Sequence, residues 1–244
     1  MEQTLIMGDH ISFLLETASQ IAWAVPVTLG IFAASALGAT VLAAVLVAFS
    51  VSPWLPLRLF QRGWTFLFRG TPLLLQIAMV YYGFATIPWV RHSLLWIGFR
   101  DPLFCACFAM ICCCSAYIGE VLRGALAAIP PGQIEAARAC GMNNRTMVRR
   151  IVIPALARIA LPSYGNELIM MVKSTSLAST ITVLDITGVA QQVIAHSYRT
   201  LDVFCVAAAF YLALNAVVAF LLGRVEAWLQ VDRRDEAIPQ LETM

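Results

Sequence analysis

Charge is what this sequence has least of. Asp, Glu, Lys and Arg make up only 12% of its 244 residues, while 60% are hydrophobic. A soluble domain carries roughly 25% charged residues, so a soluble globular enzyme is excluded before any motif is considered. A net charge of +2 gives no long-range field, which excludes a nucleic-acid binder, and the apolar excess excludes a disordered chain. Metal-ligand spacing is missing too. There are seven cysteines, but Cys107, Cys112, Cys113 and Cys114 sit in an apolar run and no CxxC pair occurs. Met1 to Gln20 lacks a basic n-region and carries Glu2, Asp9 and Glu16, unlike a cleavable signal peptide. It reads as a short amphipathic segment on the outer surface. No internal repeat or low-complexity tract stands out, and the polar tail from about Asp232 is the one candidate for disorder. What remains is an integral membrane protein.

A bilayer core about 30 Å thick takes about 20 apolar helical residues to cross. Charge-free stretches predict spans near 22–50, 70–90, 102–122 and 203–223. Pro53 and Pro56 are expected to end the first helix and leave a turn rather than a second crossing. The stretch 159–189 is interrupted by Glu167, Lys173 and Asp185 but is otherwise long and apolar, and makes a fifth span. Arginines decide the orientation. Arg58, Arg62 and Arg69, then Arg123, Arg138, Arg145, Arg149, Arg150 and Arg158, then Arg224, Arg233 and Arg234 fall on one side. Only Arg91, Arg100 and Arg199 fall on the other. The positive-inside rule makes the first group cytoplasmic, with the N-terminus outside and the C-terminus inside. The predicted fold class is thus all-α and membrane-embedded, with five spans and a single domain over 1–244.

The segment 130–161 reads as two cytoplasmic helices broken at a turn. Pro130 and Pro131 open the first, where a missing N–H costs little. Gly141 supplies the left-handed residue that commonly ends a helix. Asn143 or Asn144 then caps a second helix, expected to end near Pro154. Small residues at Ala136, Ala137 and Ala139 allow close approach of another surface. From physics alone the arginines there need only enforce topology.

Glu135-Ala136-Ala137, three residues, Gly141, nine residues, then Ile151-x-Ile153-Pro154 resembles the EAA loop of ABC-importer permeases, with Ile153 where that family usually has leucine. Phe68-Arg69-Gly70-Thr71-Pro72-Leu73 with Tyr81-Tyr82-Gly83 looks like the second-helix signature of polar amino acid permeases. Ala116-Tyr117-Ile118-Gly119-Glu120 with Arg123-Gly124, Asn166-Glu167, and Lys173-Ser174-Thr175-Ser176-Leu177 are similar to its third and fourth helices. The blocks keep the family's order over roughly 20–228. The outer segments Val90 to Asp101 and Ser197 to Thr200 look closest to the M-type subunits of histidine, octopine and nopaline importers. The resemblance implies a permease paired with a related Q-type subunit, two copies of a cytoplasmic ATPase and a periplasmic solute-binding protein. This chain has no GxxxxGK[ST] loop, so ATP and Mg would be bound by the partner ATPase and no cofactor by the chain itself. Glu135, Ala136, Ala137, Gly141, Ile151 and Pro154 would couple to that ATPase.

Ionisable side chains in a span are costly and tend to face a cavity or a partner. Thr71, Tyr117, Glu120, Glu167, Lys173, Ser174, Thr175 and Ser176 are the candidates for the solute path. The competing reading makes Glu120–Arg123 and Glu167–Lys173 structural ion pairs. Hydroxyl-rich stretches also satisfy backbone groups where a transporter helix breaks. His10, His92 and His196 are expected to be isolated. Trp54, Trp64, Trp89, Trp96 and Trp228 fit interfacial belts. Gly30, Ala34 and Gly38 fit close helix contact in the first span. Two other functions compete. An intramembrane protease would need a GxSG or GxGD string, and neither occurs. A gradient-driven secondary transporter would have more spans and an inverted repeat.

Overall fold

The computed structural model describes residues 2–230. The tail from Asp232, with Arg233 and Arg234, lies outside them. Among the described residues the chain is helical throughout, without strands. Helix α1 (Glu2–Ala22) runs through a turn at Trp23 and Ala24 into α2 (Val25–Ser50). Next come α3 (Leu55–Gly70), α4 (Leu73–Thr86) with a π-helical turn at Met79–Gly83, and the short α5 (Pro88–Arg91) and α6 (Trp96–Phe99). α7 (Pro102–Ala127), α8 (Pro131–Ala139), α9 (Asn144–Ile181), α10 (Ile186–Ser197) and α11 (Thr200–Gln230) follow.

Three helical stretches are long and apolar enough to cross a membrane: Asp9–Ser50, Pro102–Ala127 and Thr200–Trp228. A fourth candidate is α9 with α10, bent by 49° between them. The core forms where α2 packs along α7, through Ile31, Ala39 and Ala43 against Ala106, Ala109 and Met110. Small side chains along that seam let the two axes approach. The expected stripe of Gly30, Ala34 and Gly38 is only partly right. Gly38 meets Ile111, where an added Cβ would lie 2.5 Å from Cδ1, but Gly30 has nothing near it and Ala34 is exposed.

The stretch after Ser50 departs most from expectation. Pro56 stands in the first turn of α3 and opens a helix rather than closing one, since its missing N–H would be unsatisfied there anyway. α3 then runs antiparallel to α7. Gln61 lies by Glu120, Trp64 donates to Ser115 Oγ at 3.1 Å, and the Cys113 thiol donates to the Phe68 carbonyl at 3.6 Å. Cys113 stands near the middle of α7, so residues 61–70 form a helix flanking the middle of an apolar helix rather than a turn between helices. Trp64 is half-buried and packs between Phe60 and Phe68 while it bonds to α7. Trp54, Trp89 and Trp228 are exposed, whereas Trp96 packs on the core beneath the Arg91 guanidinium.

The second break lies inside the predicted span 159–189. α9 tightens to a 3₁₀ turn over Thr175–Ile181, and Thr182 takes a left-handed φ of 72°. Asp185, fully buried, caps α10 by accepting from Gly188 N at 2.9 Å and also accepts from the Tyr211 hydroxyl at 2.9 Å. Thr28 Oγ1 accepts from Ile186 N at 3.2 Å. Three elements, α2, α10 and α11, thus meet at one polar knot. A second apolar cluster joins Ile21 and Ala24 to Ile186, Ala190, Val203 and Ala207. Beside it His10 Nδ1 lies 3.8 Å from Asp202 Oδ2, so His10 is not isolated.

Candidate functional site

The chain breaks between α3 and α4 because Pro72 forces Thr71 out of the helical region, to φ −118° and ψ 142°. A break inside a bundle frees backbone carbonyls that need donors. Gln76 supplies them: its amide nitrogen lies 3.0 Å from Phe68 O, 3.0 Å from Thr71 O and 2.8 Å from Thr71 Oγ1. The Thr71 hydroxyl in turn donates to Leu67 O at 2.9 Å. The break is stitched, and the helix ends around it stay open on one side.

That opening is a cavity of about 520 Å³, lined by Arg69, Thr71, Tyr117, Glu167, Met170 and Ser174 among others. The Arg69 guanidinium sits over the Tyr117 ring, 5.2 Å from its centroid. Glu167 accepts no hydrogen bond among the described residues. The site therefore offers one carboxylate, one guanidinium, hydroxyls and an aromatic face. A zwitterion with a cationic side group is complementary to that set.

Four of the predicted path residues, Thr71, Tyr117, Glu167 and Ser174, come together here, and four do not. Glu120 is held by Arg123, with Nη2 to Oε2 at 2.7 Å and Nε 3.0 Å from the same oxygen, and by Gln61 at 3.4 Å. It lines a separate pocket toward the far end of α7. Lys173 is exposed and makes no pair with Glu167. Six residues on a helix rotate by about 600°, which puts the two on different faces. Thr175 is buried, donating to Val172 O at 2.7 Å, and Ser176 donates to Lys173 O at 2.7 Å. Their hydroxyls satisfy backbone at the 3₁₀ turn instead.

Arg69 and Gln76 are the site residues that sequence reasoning missed. The signal for Arg69 was its place before Gly70-Thr71-Pro72, a helix-breaking string. It is outweighed when the stretch 50–70, with Arg58 and Arg62, is read as one cytoplasmic loop. The Cys112–Cys114 run packs as small apolar residues at the crossing of α3 and α7.

The helix–turn–helix stretch forms much as expected. α8 closes with Gly141 at φ +74°, Gly141 N donating to Arg138 O at 2.9 Å and Met142 N to Ala137 O at 3.1 Å. This pair of bonds around a left-handed glycine is the Schellman arrangement. Asn143, rather than Asn144, caps the next helix by accepting from Thr146 N at 2.8 Å. Glu135 and Ala136 are exposed, Ala137 is buried, and Ile151 is half-buried. The second helix does not end near Pro154. It passes through a π-helical turn at Val148–Val152, and Pro154 sits in the first turn of the stretch that continues as α9. A proline there clashes with nothing that the widened turn has not already loosened.

Long apolar helices, a broken helix pair around a polar cavity and a polar helix–turn–helix define a membrane transport subunit. Residues 40–231 match the family described as binding-protein-dependent transport system inner membrane component, and the chain belongs to it. It is 47% identical over 227 residues to the octopine transport system permease protein OccM of Rhizobium radiobacter, covering 93% of each chain. Identity to the histidine/lysine/arginine/ornithine transport system permease protein HisM of Salmonella typhimurium is 41% over 168 residues, 68% of this chain and 72% of that one. A solved amino acid ABC transporter with histidines superposes with a TM-score of 0.75 at 28% identity, covering 87% of this chain and 95% of that one. The family's binding-protein dependence sets aside the gradient-driven transporter and the intramembrane protease.

Proposed function

We propose that the chain is one permease subunit of an ABC importer in the bacterial inner membrane, carrying a basic amino acid or an opine inward. In this reading it crosses the bilayer five times, through α2, α3 with α4, α7, α9 and α11, with the N-terminus outside. Moving Arg69 from the loop to a span leaves the arginine asymmetry, and hence the orientation, unchanged in sign. The observation that carries the reading is the cavity where Glu167, Arg69, Thr71, Tyr117 and Ser174 meet beside two broken helices. Broken helices lining a polar cavity at mid-depth are the usual architecture of a solute site in transporters.

A related Q-type permease would complete the pair, two copies of a cytoplasmic ATPase would bind ATP and Mg, and a periplasmic binding protein would deliver the solute. Glu135, Ala136, Ala137, Gly141, Ile151 and Pro154 would form the ATPase-coupling surface, which supports a role for the continuous α9 in carrying motion to the cavity. Uptake of labelled histidine, arginine and opines by the reconstituted complex tests the function; uptake of none of them overturns it. Gly141→Val tests the coupling. A β-branched residue is strained at positive φ, so the variant should insert normally yet lose solute-stimulated ATP hydrolysis, and normal stimulation would remove the loop from the mechanism.

A further inference from the structure

Pro72 deletes one particular hydrogen bond. In a continuous helix the N–H of residue 72 would answer the Phe68 carbonyl four positions back, and proline has none to give. Two side chains from other elements take over that carbonyl. Gln76 Nε2 of α4 donates to it at 3.0 Å, and the Cys113 thiol of α7 at 3.6 Å. Three helices are therefore tied at one oxygen.

The tie reaches the solute cavity through the backbone. A peptide group is planar, so fixing the Phe68 carbonyl also fixes the N–H and Cα of Arg69. The direction in which Arg69 leaves α3 toward the Tyr117 ring is thus set from behind by Gln76. The same amide meets Thr71 twice, at its carbonyl oxygen 3.0 Å away and its hydroxyl oxygen 2.8 Å away. Arg69 and Thr71 line the cavity, whereas Gln76 is buried and is not among the lining residues.

Only the donors of this amide are used. Its two N–H groups are shared by three acceptors, while Oε1 is buried with no hydrogen-bond partner among the described residues. Turning the amide over would set Oε1 against two carbonyl oxygens, so its neighbours fix its orientation. A methionine would fill a similar volume without leaving a buried acceptor unanswered, a cost that packing alone does not justify.

We infer that Gln76 is the positioning residue of the solute site. It does not meet the solute itself. It holds the end of α3 so that Arg69, with Thr71 beside it, presents its guanidinium to the solute's carboxylate, and so sets how much solute each ATP moves. The inference rests on the solute cavity proposed above.

The test uses the complete importer in liposomes, with whichever of labelled arginine, histidine and an opine it moves fastest. Solute moved and ATP hydrolysed are measured together. Gln76→Met keeps the length of the side chain and removes both donors. It should lower solute moved per ATP about tenfold, while ATP hydrolysis per intact complex stays within about twofold. In an Arg69→Gln background the same substitution should cost less than about threefold more, because it acts mainly through Arg69. Gln76→Asn carries the two N–H groups on a stem one methylene shorter. It should lie between wild type and Gln76→Met, and takes its place if Gln76→Met lowers the amount of intact complex. Full multiplication of the Gln76 and Arg69 losses overturns the positioning role. So does a Gln76→Met complex that melts earlier yet moves as much solute per ATP as wild type, which would make the contact a clasp of the fold alone. An equal fall in transport and hydrolysis overturns it too. Wild-type complex that moves none of the three solutes overturns the proposed function and this inference with it.

Discussion

Glu120 and Glu167 are both carboxylates in apolar helices, yet their surroundings are opposite. Glu120 has its cation three residues along the same helix, a spacing that brings side chains together without help from elsewhere. Glu167 has no cation on its own face, and its neighbours Arg69, Thr71 and Tyr117 arrive from α3, the α3–α4 break and α7. One carboxylate is settled by local geometry, the other kept open by the tertiary fold. A carboxylate left open in a low-dielectric cavity is expensive unless a ligand or water answers it, which is why we propose Glu167, and not Glu120, for the solute path.

Neutralising each carboxylate is the sharpest way to break this contrast. Glu167→Gln should lower uptake of a cationic solute about tenfold or more, the cost of removing a charged partner from a binding site, with the yield of intact complex unchanged. Initial rates normalised to purified complex check this, and unchanged rates would make the two carboxylates equivalent. Glu120→Gln should do the reverse, leaving uptake per complex intact and costing stability. Because Arg123 is half-exposed and can hydrate, the cost should be small, about 1 kcal/mol or less. A thermal-melting comparison of Glu120→Gln, Arg123→Gln and the double variant should show the second substitution adding little to the first. Strict additivity would mean that the 2.7 Å pair carries no coupling. The smallest effect belongs to Tyr117. Tyr117→Phe keeps the ring beneath Arg69 and should change uptake less than about twofold, whereas Tyr117→Leu removes the cation–π contact and should lower it several-fold. Equal behaviour of the two variants would detach Arg69 from the site.

The same contrast explains what could be read from sequence. Features set within a few residues were legible: the left-handed Gly141 and its Schellman bonds, the Asn143 cap, the Glu120–Arg123 pair, and the long apolar helices α2, α7 and α11. Features set by distant elements were not. Nothing near Pro56 says that it opens a helix that will lie along α7, and nothing near Arg69 says that the Thr71-Pro72 break will turn it toward Glu167. Lys173 looked like a partner for Glu167 on charge alone, and helical rotation separates them. The deepest polar knot was invisible for the same reason, since Asp185 reaches Tyr211 across 26 residues and Ile186 N reaches Thr28 across 158.

That knot gives α9 a fulcrum. Its Ile181 end is anchored through Asp185, Tyr211 and Thr28, while its Asn144 end is the second half of the helix–turn–helix, so one helical arm of about 57 Å joins them. Glu167 stands about two-fifths of the way from the anchored end. By simple leverage a sideways push of about 5 Å at Asn144 swings Glu167 by about 2 Å, more than the tolerance of a hydrogen bond and less than the width of a packed side chain. Pro162, between the push and the carboxylate, removes one helical hydrogen bond from the arm and is a point of compliance, so this gearing is a ceiling, and stiffening that point with Pro162→Ala would raise the fraction delivered.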